Sequence, residues 1–461
     1  MTELTAGSAP IVADRALRRE RFGWYSYDWA NSVFSTTVIT ALMGPYLTAV
    51  AQAAVGEGGV ALRLGPLTVT AESLFPYSIS LSVFLQVFFL PVLGAIADYT
   101  NLKKRLMILF CYLGAISTCL LFFVAGNLYL LGSLLLILAN LGFGGSIVLY
   151  NAYLADITTE DQRDKVSSRG FAWGYMGGGL LLALNLVLLT VGPSIGIDKA
   201  LGARLSLLSA GLWWAGFSLI TFRRLQVREA AKALPPGQNY LTIGFSELAL
   251  TFRTLARLPH TLRFLVGYLF YNDGIQTVIT MSAVFLAQEL KVDTTFLLGL
   301  ILMVQFVAFA GAYLFERLAI WLGTKPAILL SLVIWCGVVI YAYAFLRTTN
   351  EALGMGVAIA LVLGGSQALS RALFSCMIPR TQEAAFFGLY EISERGTSWI
   401  GPFLFGVVVQ ATGSYRQAIL SIIVLLIVGA IILARTNTQQ AILDAGNRLP
   451  AQVGGAVGEA A

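Results

Sequence analysis

Apolar runs of about 20 residues, separated by short polar breaks, recur along the whole chain, and each is long enough to cross a hydrocarbon core of about 30 Å. Twelve such runs are present, at approximately 24–50, 76–98, 105–126, 128–154, 168–191, 201–222, 262–288, 295–318, 326–347, 351–377, 386–411 and 415–435. No long stretch alternates as a strand would. Lipid cannot satisfy an open backbone, so the runs predict helices and an all-α membrane protein. The rhythm breaks between 223 and 260, around Pro235-Pro236-Gly237, with six runs on each side. Inside the break Leu241, Phe245, Leu248, Phe252 and Leu255 return every four or three residues beside Arg253 and Arg257. That spacing fits an amphipathic helix on the inner leaflet, with an unstructured linker as the alternative. The predicted organisation is an arm (1–23), a six-helix half (24–222), a central loop (223–260), a second six-helix half (261–435) and a tail (436–461).

Composition agrees. The chain is 57% hydrophobic and 12% charged over 461 residues, about half the charge of a soluble domain. Assigning loops alternately puts 24 of the 30 Lys and Arg on the side of the termini, leaving Arg63, Lys199, Arg204, Lys291, Arg347 and Arg416 opposite. By the positive-inside rule both termini are cytoplasmic, in the cell (inner) membrane. The net charge of +6 is then a topology signal and calls for no nucleic acid. The first 23 residues lack the apolar core of a signal peptide. Cys111, Cys119, Cys336 and Cys376 fall inside apolar runs and read as packing. The one histidine, His260, lies in the central loop, so no metal site is expected. Glycine-rich stretches such as GYMGGG lie within helices without a P-loop lysine, so neither a nucleotide, another cofactor nor an enzymatic activity is expected.

The two halves resemble one another. Gly144-Gly145-Ser146, then Leu149 and Ala152, recurs as Gly364-Gly365-Ser366, then Leu369 and Ala372, at an offset of 220. Arg169-Gly170-Phe171-Ala172-Trp173 matches Arg395-Gly396-Thr397-Ser398-Trp399 at an offset of 226. Parallel six-helix repeats about an axis along the membrane normal, with a midplane site between them, are the architecture of major facilitator transporters. Between runs 2 and 3, GAIADYTNLKKR resembles the loop motif of that superfamily. There Gly94 permits close helix approach, Asp98 accepts from a neighbouring helix end, and Lys103, Lys104 and Arg105 hold the loop at the face, together forming a latch; an ordinary positive loop is the alternative. Gly311 to Arg317, with Lys325 beyond, is a degenerate counterpart. Four segments taken in order, WYSYDWANSVFSTTV, YNAYLADI, SSRGFAWGYMGGG and the run from Gly364 to Gly406, resemble the unknown major facilitator family, which includes the autophagy-related vacuolar amino-acid effluxers. The resemblance implies a secondary transporter and, in the fungal branch, amino-acid export.

Ionisable residues at depth are costly and mark candidate sites. Asp28 lies seven residues past Arg21, about 10 Å along the helix, with Asn31 on the same face and Tyr27 adjacent. It reads either as a static or gating ion pair or as a binder of substrate or proton. Asp273, with Asn272 and Gln276 nearby, lies about 18 Å into run 7 and is the best midplane candidate; a carboxylate satisfied by amides is the alternative. On run 10, Arg371 follows Gln367 by one turn. Its guanidinium suits a carboxylate, while snorkelling or pairing with Glu391 or Glu394 is the competing reading. Trp173, Tyr175, Tyr390 and Trp399 would line a cavity or pack. The expected function is alternating-access transport of a small polar or zwitterionic solute, with amino acids leading and protons as coupling ion, by a monomer surrounded by membrane lipids. The alternatives are an exporter of lipophilic compounds or pigments, and a non-transporting scaffold or assembly factor.

Overall fold

The computed structural model of the chain describes residues 8–65, 67–71, 73–228, 240–292, 294–395 and 400–450. The first span begins as α1 (Ser8–Val33), passes through a π-helical stretch (Phe34–Leu42) and continues as α2 (Met43–Val55). The expected arm is therefore helical from Ser8 and continuous with the span. A strand pair that no alternation announced follows, β1 (Val60–Leu64) antiparallel to β2 (Leu67–Thr70). Then come α3 (Leu74–Asp98), α4 (Lys103–Leu120), α5 (Tyr129–Asp156), α6 (Arg163–Val191) and α7 (Lys199–Arg224), which complete the first half.

The central loop contributes α8 (Tyr240–Arg257). The second half runs through α9 (Pro259–Glu289), α10 (Thr294–Leu322), α11 (Thr324–Ala344), α12 (Thr349–Cys376), α13 (Glu383–Arg395), α14 (Ile400–Thr412), α15 (Tyr415–Ser421) and α16 (Ile423–Ala434). A short α17 (Thr438–Asp444) closes the described chain. Among the described residues, ten helical stretches are long and apolar enough to cross a membrane. With the more polar α9, and with α13 and α14 taken together as one, they make twelve spans. The face carrying the tail and the α3–α4 turn is called the terminal face below, and the opposite one the hairpin face.

Local chemistry sets the boundaries. Asp198 accepts from Leu201 N at 2.7 Å to start α7. Thr348 and Glu351 form a reciprocal capping box at the start of α12. Pro259 occupies the first turn of α9, where its missing N–H costs nothing. The two halves meet closely where α3 crosses α13. A Cβ on Gly94 would sit 2.2 Å from the carbonyl oxygen of Ala384, so only glycine permits this approach.

The amphipathic segment does form a helix, and it packs along α3 and touches α13 instead of lying only against lipid. Thr251, Leu255 and Leu258 are buried there, while Phe252 is 53% exposed. The tail also returns to the bundle. Asn447 donates through Nδ2 to the carbonyls of Cys376 and Ile378, at 2.9 and 2.8 Å, just past the end of α12.

Candidate functional site

Arg371 sits on α12 within two turns of its terminal-face end and is almost wholly buried. Its Nε donates to Ser167 Oγ at 2.9 Å, Nη2 to Ser167 O at 3.0 Å and Nη1 to Asn151 Oδ1 at 3.2 Å. Asp28 Oδ2 lies 3.6 Å from Nη2 and accepts from the Tyr150 hydroxyl at 2.7 Å. The first of these separations is too long for a hydrogen bond, so the pair is held by charge alone. Phe171, Trp24 and Tyr150 present ring faces 4.2, 4.9 and 5.7 Å from the guanidinium carbon. Asn151 also donates to Glu391 Oε1 on α13 at 2.9 Å.

Asn151 and Arg371 are separated by 220 residues, the offset of the internal repeat. Repeat-related residues touch each other only near the pseudo-twofold axis. The network therefore lies between the halves, at the centre of the bundle in plan and below its middle in height.

Two neutral rungs lie further toward the hairpin face. The Tyr175 hydroxyl donates to Gln367 Oε1 at 3.0 Å, and Gln305 Nε2 donates to Thr36 Oγ1 at 3.2 Å. Thr36 belongs to the π-helical stretch, whose widened turn turns side chains out of the ordinary α-helical register beside the interface. Asn31 lies between these levels, buried, with no partner for Nδ2 among the described residues.

Below the charged network the halves are tied at many points. Asp98 accepts from Ala384 N and Ala385 N at 3.1 and 3.0 Å, at the start of α13. Within the first half Lys103 pairs with Asp156 at 3.2 Å, Lys104 donates to Leu225 O at 2.6 Å and Arg105 is exposed, whereas the remaining contacts cross between the halves. Ser167 Oγ donates to Ala368 O at 2.8 Å. Arg163 donates to Ser375 O, Thr324 to Asp164, and Arg380 pairs with Glu160. Arg169 reaches both oxygens of Glu316 at 3.4 Å. The bundle is closed on its terminal face.

Asp273 stands apart from this network. It is buried on α9, and its Oδ2 accepts from Gly401 N at 2.8 Å, in the first described turn of α14. No partner is found for Oδ1 among the described residues. Asn272 is buried beside it and Gln276 half-buried.

The sequence-predicted set is thus split into two centres. Asp28, Gln367 and Arg371 gather at the interface, while Asn272, Asp273 and Gln276 lie together on α9, where Asp273 meets Gly401 of α14. Of the expected cavity lining, Tyr175 faces the interface. Trp173 meets Phe22 and Trp29 edge-on within the first half, the packing alternative of its two readings. It lies on the helix face opposite Phe171 and Tyr175 because a two-residue step turns about 200°. Tyr27 is core, beside Tyr150 and Phe222, and Tyr390 stacks on Tyr268 and Phe374 in the second half. Trp399 lies outside the described residues, as do Gly396 to Ser398 of the second-half repeat. Glu391 joins Arg371 through Asn151. Tyr150, Asn151, Ser167 and Gln305 were not anticipated. The repeat offset could have pointed to Asn151, the counterpart of Arg371.

The sequence model described as "Vacuole effluxer Atg22 like" matches residues 16–446. This chain belongs to the Atg22-like family. The MFS-type transporter YxiO of Bacillus subtilis is 32% identical over 418 residues, covering 90% of this chain and 94% of that one. Autophagy-related protein 22 of Yarrowia lipolytica is 27% identical, covering 77% and 74%. Among solved structures, the major facilitator transporter FucP in its outward conformation superposes with a TM-score of 0.66 at 12% identity, covering 91% of this chain and 97% of FucP. A double-Trp variant of XylE gives 0.64 at 14% identity, covering 94% and 98%. This Atg22-like chain is accordingly a multi-pass membrane transporter with the major facilitator fold.

Proposed function

We propose that the protein moves amino acids, or similarly small zwitterions, by alternating access, driven by protons, with its terminal face in the cytoplasm of a bacterial cell and the monomer as the working unit. The observation that carries this reading is the buried Arg371–Asp28 pair on the pseudo-twofold axis. Separating the halves on the terminal face takes Arg371 away from Ser167, Asn151 and Asp28 together. The freed guanidinium matches a substrate carboxylate through two parallel bonds, and the freed Asp28 matches an ammonium. In the closed state the two side chains stand in for the opposite charges of a zwitterion. The neutral donors and acceptors of Tyr175, Gln367, Asn31 and Gln305 suit the remainder of a polar solute.

Asp273 supports the proton part of the reading. One of its oxygens is held by a backbone N–H and the other lacks a partner among the described residues. A buried carboxylate in that setting offsets its burial by binding a cation, and a proton fits the smallest space. The distribution of Lys and Arg supports the orientation, and similarity to a Bacillus subtilis transporter supports a cell membrane.

The test is uptake in proteoliposomes with a panel of amino acids and an imposed pH gradient. The expected result is gradient-driven accumulation in the wild type, its loss in Asp273→Asn with substrate exchange retained, and loss of both in Arg371→Gln. Transport of lipophilic cations by both variants at wild-type rates, with no amino-acid flux, would overturn the reading.

A further inference from the structure

The end of α16 collects cations from three elements. Lys325, at the start of α11, donates through Nζ to the carbonyls of Ala434 and Thr436, both at 2.8 Å. Arg263, in the second turn of α9, reaches the intervening carbonyl of Arg435 at 3.4 Å. Arg435 adds its own guanidinium and is exposed, as is Arg263. One cation is ample for a helix C-terminus, whose partial charge is about −0.5. Three leave an excess of more than two positive charges around a single turn of backbone. Among the described residues no carboxylate forms an ion pair with any of the three. Asp444, the nearest acid downstream in sequence, accepts instead from Gln440 at 2.7 Å.

The surface beneath this charge is apolar. Leu262 and Val266 on α9, Ile427 and Ile431 on α16, and Leu330 and Val333 on α11 are each more than a third exposed. Exposed side chains on membrane spans face acyl chains. The unneutralised cations sit at the level where those chains end and headgroups begin. A free anion would answer the charge alone, whereas a phospholipid answers both the charge and the apolar surface.

We propose that Lys325, Arg263 and Arg435 bind the phosphate of an anionic phospholipid in the leaflet at the terminal face, with its acyl chains along α9 and α16. The site lies wholly within the second half, so its occupancy is independent of whether the halves are open or closed. It ties together the ends of three spans, α9, α11 and α16, and the start of the returning tail.

The experiment uses the purified full chain in neutral detergent, titrated with phosphatidylglycerol, phosphatidylcholine or sodium phosphate, and read by native mass spectrometry and thermal unfolding. The expected result is retention of one phosphatidylglycerol and an upward shift in Tm, neither of which phosphatidylcholine or phosphate reproduces. Removing all three charges (Lys325→Gln, Arg263→Gln, Arg435→Gln) should weaken phosphatidylglycerol binding about a hundredfold. Arg435→Gln alone, whose side chain makes no hydrogen bond among the described residues, should weaken it about fivefold and guards against misfolding of the triple variant. The variant Arg253→Gln/Arg257→Gln removes exposed charge from α8 and should bind as the wild type does. Equal binding of phosphatidylcholine, full competition by sodium phosphate, undiminished binding by Arg435→Gln, or weakening only in the α8 variant would each overturn the proposal.

Discussion

Replacing Arg371 by Gln removes the cation beside Asp28 and leaves Asp28 buried with the Tyr150 hydroxyl as its remaining described partner. At 3.6 Å and an effective dielectric of about 20 the attraction lost is about 5 kcal/mol, most of which is cancelled by the desolvation both groups have already borne. What decides the outcome is the orphaned carboxylate. Breaking one side of a buried pair costs about 3–5 kcal/mol. Opening the terminal face rehydrates Asp28 and relieves that cost, so the open state gains nearly all of it. At 1.4 kcal/mol per tenfold, the closed-to-open ratio should fall by about one hundred to a few thousandfold. Spin labels at Thr159 and Thr381, on exposed turns of opposite halves at the terminal face, read this as a distance distribution. The wild type should show the short distance and Arg371→Gln the long one. Asp28→Asn added to Arg371→Gln should restore part of the short distance, because it removes the orphaned charge. A double variant as open as the single one, or an Arg371→Gln protein that remains closed, would refute the argument that this pair holds the gate.

Asp98→Asn should open the same reporter distance, whereas Glu316→Gln should leave it nearly unchanged. Glu383, in the first turn of α13 at the terminal face, is pushed up to about 8, first by burial and then by Asp98 beside it, with Asp156 adding and Lys103 opposing. Exposed on opening, it would titrate near the ordinary value of about 4.3. The closed state therefore holds one more proton between the two values: acidification favours closure, that stabilisation fades as pH rises through about 8, and Glu383→Gln should flatten the dependence measured from pH 6 to 9. Asn447→Ala should lower stability by about 1–3 kcal/mol, because two carbonyls beyond α12 lose a buried donor; thermal unfolding in detergent measures it.

Much of this was legible in the chain because membrane helices advertise themselves by length and because ionisable residues at depth are too costly to be incidental. Asp28 and Arg371 could each be singled out that way. Their pairing could not, since it depends on how two halves far apart in sequence are set against each other. Tyr150, Asn151 and Ser167 carry no burial cost large enough to stand out from ordinary helix residues. Yet they supply every hydrogen bond that fixes the guanidinium and the one that Tyr150 gives Asp28. Aromatic residues carry a weaker signal. Trp173, Tyr27 and Tyr390 have the composition of a binding cavity, but a helix buries such rings toward its own half as readily as toward the axis. The β1–β2 strands were too short for alternation to register, and the return of the tail, with Ala441 and Ile442 buried and Asn447 anchored at the end of α12, has no signal of length or charge in the chain.

The internal repeat makes the gate symmetric in outline but unequal in strength. Asp98 and the segment around Glu316 occupy corresponding places at the ends of α3 and α10, and each reaches across to the other half. Asp98 is buried and takes two backbone N–H groups of α13, and hydrogen bonds of that charge-assisted kind contribute about 1.5–3 kcal/mol apiece. Glu316 takes Arg169 at 3.4 Å on both oxygens, and that guanidinium is 38% exposed, where ion pairs contribute about 0–1 kcal/mol. Degeneracy of the second motif thus has a physical consequence. Of these two motif contacts the α10–α6 one is the weaker, so its loss should disturb the closed face less than loss of Asp98. The α3–α13 contact is closed further by the close approach at Gly94. Arg371 and Asp28 lie between these two seams, and Ser167 on α6 supplies two of the three hydrogen bonds that hold the guanidinium, so the α6 side keeps a strong grip on the pair even though its motif contact is weak.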